Sequence, residues 1–106
     1  MKKIFSMSPM ILAIILLTSF PILGQAAEPI KLGVVEPLSG TFKNIGDRYL
    51  EGVQYAAKVL NRQGGVLGRQ IEVIPIDSEL KPDVATRKTT ALILKDQVKF
   101  FSGGTG

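Results

Sequence analysis

Hydroxyl groups and glycines follow two of the apolar segments in this 106-residue chain, at positions where they could hold a small anion. Ser39-Gly40-Thr41 comes after the first segment, and Gly103 to Gly106 comes after the last. Hydroxyls and sterically open backbone N–H groups bind carboxylates, particularly beside a helix N-terminus. The two loops are therefore candidates for a ligand site. Alternatively, their glycines only form turns, since glycine is the commonest turn residue.

The composition excludes several kinds of catalytic site. The chain has no cysteine, histidine or tryptophan, so a zinc site with nitrogen and sulfur ligands, a cysteine nucleophile and a Ser-His-Asp relay are all ruled out. Neither the dinucleotide pattern G-x-G-x-x-G nor the phosphate-loop pattern G-x-x-x-x-G-K-[ST] occurs where it would be needed. We therefore expect neither an enzyme nor a bound cofactor or metal.

Two carboxylates, Glu36 and Asp77, each end an apolar segment and raise one enzymatic alternative. A magnesium-dependent phosphoacceptor domain needs such a pair together with an acidic residue after the next strand. Ser102-Gly103-Gly104 stands there instead, so we expect Asp77 to be solvated or to cap a turn.

The first 26 residues have the order of a secretory signal peptide. Lys2 and Lys3 precede a continuous apolar run from Met10 to Leu17, and small residues lead up to a cleavage site after Ala26. A retained membrane anchor is the alternative, because residues 4–27 carry no charge. Without residues 1–26 the chain has eleven basic and nine acidic residues with interspersed signs, which does not indicate nucleic-acid binding.

The rest of the chain alternates strand and helix patterns. Between Asp47 in the first turn and Gly64-Gly65 at the end, the apolar residues have helical spacing and are Tyr49, Leu50, Val53, Ala56, Ala57 and Leu60. A second, weaker stripe consists of Ala85, Thr89, Leu92 and Ile93. The complete prediction is strand 30–35, helix 47–63, strand 70–77, helix 83–95 preceded by Pro82, and strand 98–102.

This βαβαβ order predicts an α/β fold with a parallel sheet and right-handed crossovers. Pro75 cannot donate a hydrogen bond to a neighbouring strand, so the second strand is predicted to lie at a sheet edge. Ligands of doubly wound sheets bind beyond the carboxyl ends of the strands. The two candidate loops would both lie at that edge.

The region from Ile30 to Gly106 resembles the start of the mature chain of periplasmic solute-binding proteins for branched-chain amino acids and related compounds. The matching segments, in order, are Ile30 to Val35, Pro37-Leu38-Ser39-Gly40, Gly46 before a helix containing Gly52, Asn61 to Arg69, Asp77, Pro82, and Val98 to Gly104. The resemblance implies a flavodoxin-like strand order 2-1-3 and half of the N-terminal lobe of a type I periplasmic binding fold. Residues 27–106 would then be a truncated part of a domain that is several times longer.

The resemblance also implies roles for particular residues. Ser39 and Gly40 would line the cleft, Ile45 would touch the ligand side chain, and Gly104-Thr105 would begin the loop that holds the ligand's α-carboxylate and amine. Three positions depart from the family pattern. Glu36 replaces a small residue, Lys81 replaces the usual aspartate before Pro82, and Ile45 replaces a frequent aromatic residue.

The function implied is the substrate-binding component of an ABC-type importer for amino acids, most simply branched-chain amino acids or a related amide or small solute. It would work in the periplasm with an inner-membrane permease, without nucleic acid, and as a monomer when full length. The alternative is a short exported or membrane-anchored interaction protein that keeps this half-lobe and binds no solute. We further expect that the 106 residues alone are not an independent transporter component.

Overall fold

A computed structural model of the chain describes residues 27–105, and these form one three-stranded parallel sheet with two helices. The predicted signal peptide lies outside the described residues. The elements in chain order are β1 (Ile30–Glu36), α1 (Lys43–Arg62), β2 (Ile71–Asp77), α2 (Pro82–Asp96) and β3 (Phe100–Gly103). The predicted α/β class and element order are confirmed.

The strand order is β2-β1-β3, with β1 in the centre and both pairings parallel. The register joins Ile30 to Ile71 on one side of β1 and Leu32 to Phe100 on the other. Within the described residues, β2 pairs with β1 alone, as Pro75 requires. The predicted order 2-1-3 and the edge position of β2 are confirmed.

Helix α1 begins four residues before its predicted start. Its first residue is Lys43, so Asp47 lies outside the first turn, and Gly46 lies inside the helix rather than before it. Phe42, the residue before the helix, provides no side-chain cap. Asp47 instead forms an ion pair with Lys43 one turn earlier, a spacing that supports a helix.

The helices cover the sheet on opposite sides. Ala57 of α1 lies in a groove with Ile71 and Val73 of β2, whereas Leu92 of α2 lies in a groove with Ile74 and Ile76. Alternate residues of β2 point to opposite faces of the sheet, so each helix meets a different set of them. The connection from β1 to β2 and the connection from β2 to β3 cross the sheet in opposite directions, and right-handed crossovers therefore place the two helices on opposite faces. The sheet, the two helices and the segment before β3 all contribute buried apolar residues, which include Val34, Ala57, Ile76, Val84 and Val98.

The two helices match their predicted apolar stripes unequally. In α1, Ala57 is buried and Leu50 and Val53 are half-buried, but Tyr49, Ala56 and Leu60 are exposed. In α2, Val84 is buried although the predicted stripe began at Ala85. Pro82 occupies the first helical position as predicted, and Lys81 before it provides no side-chain cap.

Candidate functional site

The carboxyl ends of all three strands lie at one edge of the sheet, because the sheet is entirely parallel. Residues 37–42 leave β1 there, residues 78–81 leave β2, and Gly104-Thr105 follows β3. Both loops predicted from their hydroxyls and glycines therefore start at the same edge.

Asp77, the last residue of β2, fastens the loop that follows β1. Its Oδ1 oxygen accepts a hydrogen bond from the Leu38 N–H at 2.9 Å and another from the Glu79 N–H at 2.9 Å. The first bond joins two strand ends, and the second closes a turn after β2. Asp77 thus caps a turn, which was one of the two roles expected for it.

The hydrogen bonds to Asp77 favour its charged form. Burial would raise the pKa of this carboxyl, but a side-chain hydrogen bond from Ser39 lowers it. The N–H groups of Glu79 and Leu38 and the charge of Lys88 lower it further, so that the pKa of Asp77 falls below its usual value. An ionised Asp77 therefore holds the start of the β1–α1 loop in place through its bond to the Leu38 N–H.

Glu36, the last residue of β1, fastens the segment that follows β3. Its side chain is 0% exposed, and its Oε1 oxygen accepts a hydrogen bond from the Gly104 N–H at 2.9 Å. Its Oε2 oxygen has no hydrogen-bond partner among residues 27–105. The carboxylate that the sequence places at the end of the strand therefore lies inside the protein and contacts the candidate loop directly.

Close packing of β3 on β1 positions the same segment. A side chain at Gly103 would collide with the backbone carbonyl of Val35, so the two strand ends approach at a distance that only glycine permits. The preceding residue, Ser102, exchanges a hydrogen bond with the hydroxyl of Tyr49 on α1. Strand β1 and helix α1 thereby hold the end of β3, directly before Gly104.

The structure puts the five predicted site residues at or near this edge. Ser39 and Gly40 are exposed, with Gly40 at a φ of 73° in the turn before α1. Ile45 is 45% exposed in the first turn of α1, one helical turn before Tyr49. Gly104 is exposed and Thr105 is half-buried, beside an open groove of about 400 Å³ that Val35 and Ser78 also line.

The sequence predicts these loops but not the contacts that anchor them. The bond between Glu36 and Gly104 joins residues far apart in the chain, and so does the bond between Tyr49 and Ser102. The one available signal was Glu36 itself, a charged residue directly after an apolar run.

A larger groove of about 510 Å³ lies at the opposite edge of the sheet, among Lys31, Arg69, Lys95 and Lys99. Two of these cations are already engaged by backbone carbonyls. Arg69 donates to the Glu28 carbonyl at 2.8 Å, and Lys31 donates to the Asp96 carbonyl at 3.1 Å. These bonds tie chain segments together, so this edge has a structural explanation.

Within residues 27–105, no group of three or more carboxylates is arranged to hold a metal ion. Over the same part of the chain, neither helix combines the length and the apolar character needed to cross a membrane.

A family model described as "Periplasmic binding protein" matches residues 29–106, which is most of the chain. The chain therefore belongs to the periplasmic binding protein family. The fold, with its parallel sheet in the order β2-β1-β3, is that of part of a binding-protein lobe.

Two curated relatives have names that refer to amino-acid binding. The leucine-, isoleucine-, valine-, threonine- and alanine-binding protein of Pseudomonas aeruginosa is 29% identical over 97% of this chain and 27% of its own length. The Leu/Ile/Val-binding protein homolog 4 of Brucella abortus is 34% identical over 66% of this chain and 17% of its own length.

Among solved structures, a protein of Silicibacter pomeroyi described as a branched-chain amino acid ABC transporter superposes with a TM-score of 0.69. It is 33% identical in sequence, and the alignment covers 74% of this chain and 20% of that one. The chain thus spans about a quarter or less of the length of these relatives.

Proposed function

We propose that the chain forms part of the substrate-binding component of an ABC-type importer, which binds an amino acid or a related amide and releases it unchanged. Its relatives are named as binding proteins for leucine, isoleucine and valine, and an ABC transporter protein shares its fold. The single observation that carries the proposal is membership of this family over residues 29–106.

The arrangement of the strand ends supports the same proposal. In the binding site that we propose, Ser39 and Gly40 lie on one wall of the cleft, and Gly104 and Thr105 begin the other. Ile45, an exposed apolar residue in the first turn of α1, contacts an aliphatic part of the solute. An exposed apolar side chain beside hydrogen-bonding backbone and hydroxyl groups suits a small amphipathic solute.

We further propose that residues 1–26 are a cleaved signal peptide, that the mature protein begins at Ala27 in the periplasm, and that its partner is an inner-membrane ABC permease. Family membership and the order of basic, apolar and small residues support export. N-terminal sequencing of the exported protein tests this, and a chain that still begins at Met1 in the membrane fraction contradicts it.

Titration calorimetry on the full-length gene product tests the binding function. We expect a small aliphatic amino acid or amide to bind, and Ile45→Asp and Ser39→Val each to weaken binding at least tenfold, or about 1.4 kcal/mol. Leu67→Asp is the matched control, because Leu67 is 96% exposed in the loop before β2, at the opposite edge. Unchanged affinity in both site variants would show that the site is wrongly assigned. Failure to bind any solute would favour an interaction protein.

A further inference from the structure

Glu36 is a carboxylate built into the wall of the proposed cleft. It is one of the largest side chains that solvent does not reach, whereas Val35, the residue before it, is half-buried. Val35 before it and Gly104, to which it bonds, both line the groove of about 400 Å³ beside β3. Its carboxyl group therefore bonds directly to a residue that lines this groove.

The bond to Gly104 uses a group that an anionic solute would need. Backbone N–H groups at the carboxyl edge of a parallel sheet are typical binding partners for carboxylate and phosphate oxygens. Here the Gly104 N–H donates to Oε1 of Glu36 at 2.9 Å. The protein thus supplies its own carboxylate at the point where the loop leaves β3.

The second oxygen of the same carboxylate is unsatisfied. Oε2 has no hydrogen-bond partner among residues 27–105, and in the same range neither salt bridge involves Glu36. Lys88, the cation bonded to the neighbouring end of β2, donates to the Asp77 carbonyl and pairs with Glu79. A buried carboxylate with an unused acceptor oxygen and no salt bridge favours N–H donors nearby and opposes a second carboxylate.

We infer that Glu36 sets the chemical class of the solute: the site prefers a neutral amide or a cationic nitrogen next to Gly104 and Thr105, and disfavours a carboxylate there. The inference rests on the solute-binding function proposed above and narrows it from amino acids to amide-like or amine-like compounds.

Four ligands with one aliphatic skeleton test the inference on the full-length gene product: leucine, leucinamide, isovalerate and isovaleramide. Titration calorimetry should show leucinamide binding at least tenfold more tightly than leucine, and isovaleramide at least tenfold more tightly than isovalerate. Tighter binding of leucine or isovalerate overturns the inference and leaves the importer function intact. Failure of all four to bind, together with a wider panel of amino acids and amides, overturns both.

The Glu36→Gln variant tests whether Glu36 causes the preference for an amide over a carboxylate. Its amide oxygen can still accept from Gly104, but the negative charge is gone, so the preference for amide over carboxylate should shrink at least tenfold. Glu79→Gln removes an exposed carboxylate at the same edge and should leave the preference unchanged within twofold. An unchanged preference in Glu36→Gln would overturn the inference. If that variant does not fold, the ratio of amide to carboxylate affinities in the wild-type protein is the test of the inference.

Discussion

Asp77 and Glu36 are neighbours in the parallel register, and each is the last residue of its strand. Asp77 accepts two backbone N–H groups and organises the loops after β1 and β2. Glu36 accepts one and organises the segment after β3. Two carboxylates therefore position the three loops at this edge, and each does so by accepting hydrogen bonds from main-chain N–H groups.

The charge of Asp77 should stabilise the fold. Its pKa is lowered in the folded state, so its contribution is present at neutral pH and is lost as the pH falls through the folded-state value. We expect Asp77→Asn to lower the free energy of unfolding by about 1 kcal/mol at pH 7. The difference from wild type should shrink below about pH 4, where the unfolded-state carboxyl takes up its proton.

Urea unfolding of the full-length gene product at several pH values measures this difference. Glu72→Gln is the control on the same strand, because Glu72 is exposed. If Asp77→Asn lowers the free energy of unfolding equally at pH 3 and pH 7, the loop requires the shape of the Asp77 side chain and not its charge.

Helix α1 shows which element boundaries the sequence could and could not predict. The apolar spacing from Tyr49 onward identified the helix, and Gly64-Gly65 identified its end. A carboxylate commonly lies in a first turn, so the sequence predicts a start at Asp47. The helix begins instead at Lys43, and its first turn packs Gly46 closely against the Pro37 carbonyl, a tertiary contact that no local pattern reports.

The same limit applied to the site. Turn-forming residues marked the loops correctly, and the alternation of strands and helices placed their starts at one edge. The buried state of Glu36 could not be predicted, because it depends on β3 bringing Gly104 close to the end of β1. A lone charge after an apolar run is equally consistent with a solvated strand end.

Two glycines of α1 provide a matched pair for testing this packing. A Cβ at Gly46 would collide with the Pro37 carbonyl, whereas a Cβ at Gly52 would meet nothing within 4 Å. We expect Gly46→Ala to destabilise the protein by about 1–3 kcal/mol through steric conflict. Gly52→Ala should stabilise it by up to about 1 kcal/mol, because alanine favours helix.

Thermal and urea unfolding of both variants measures the contrast. If the two substitutions change the free energy of unfolding equally, α1 moves freely relative to the β1–α1 loop. The contact of Gly46 with the Pro37 carbonyl would then not position Ile45.

At the scale of the whole molecule, the edge of the sheet formed by β3 exposes an apolar side chain. Within the described residues β3 pairs only with β1, and its first residue, Phe100, is 58% exposed. Unpaired N–H and C=O groups beside a large apolar side chain form a template for association. The sequence predicts a strand over residues 98–102, because β-branched and aromatic residues such as Val98, Phe100 and Phe101 are common in strands.

We therefore expect residues 27–106, expressed alone, to self-associate and to bind solutes weakly. Phe100→Lys should reduce the association, whereas Tyr55→Lys, which replaces a 71% exposed aromatic residue on α1, should not. Sedimentation and circular dichroism measure both effects. A monodisperse monomer that melts cooperatively and binds an amino acid at micromolar concentration would contradict the expectation.

The central position of β1 has a kinetic consequence. Ile30 and Ile71 are partners in the register, and the whole of α1 lies between them in the chain. Parallel strands cannot be joined by a short hairpin, so no part of this sheet can form until a long loop has closed. The first strand to be synthesised therefore waits, unpaired, until β2 has emerged, and β3 can join only afterwards. A sheet whose central strand must wait in this way forms late and slowly.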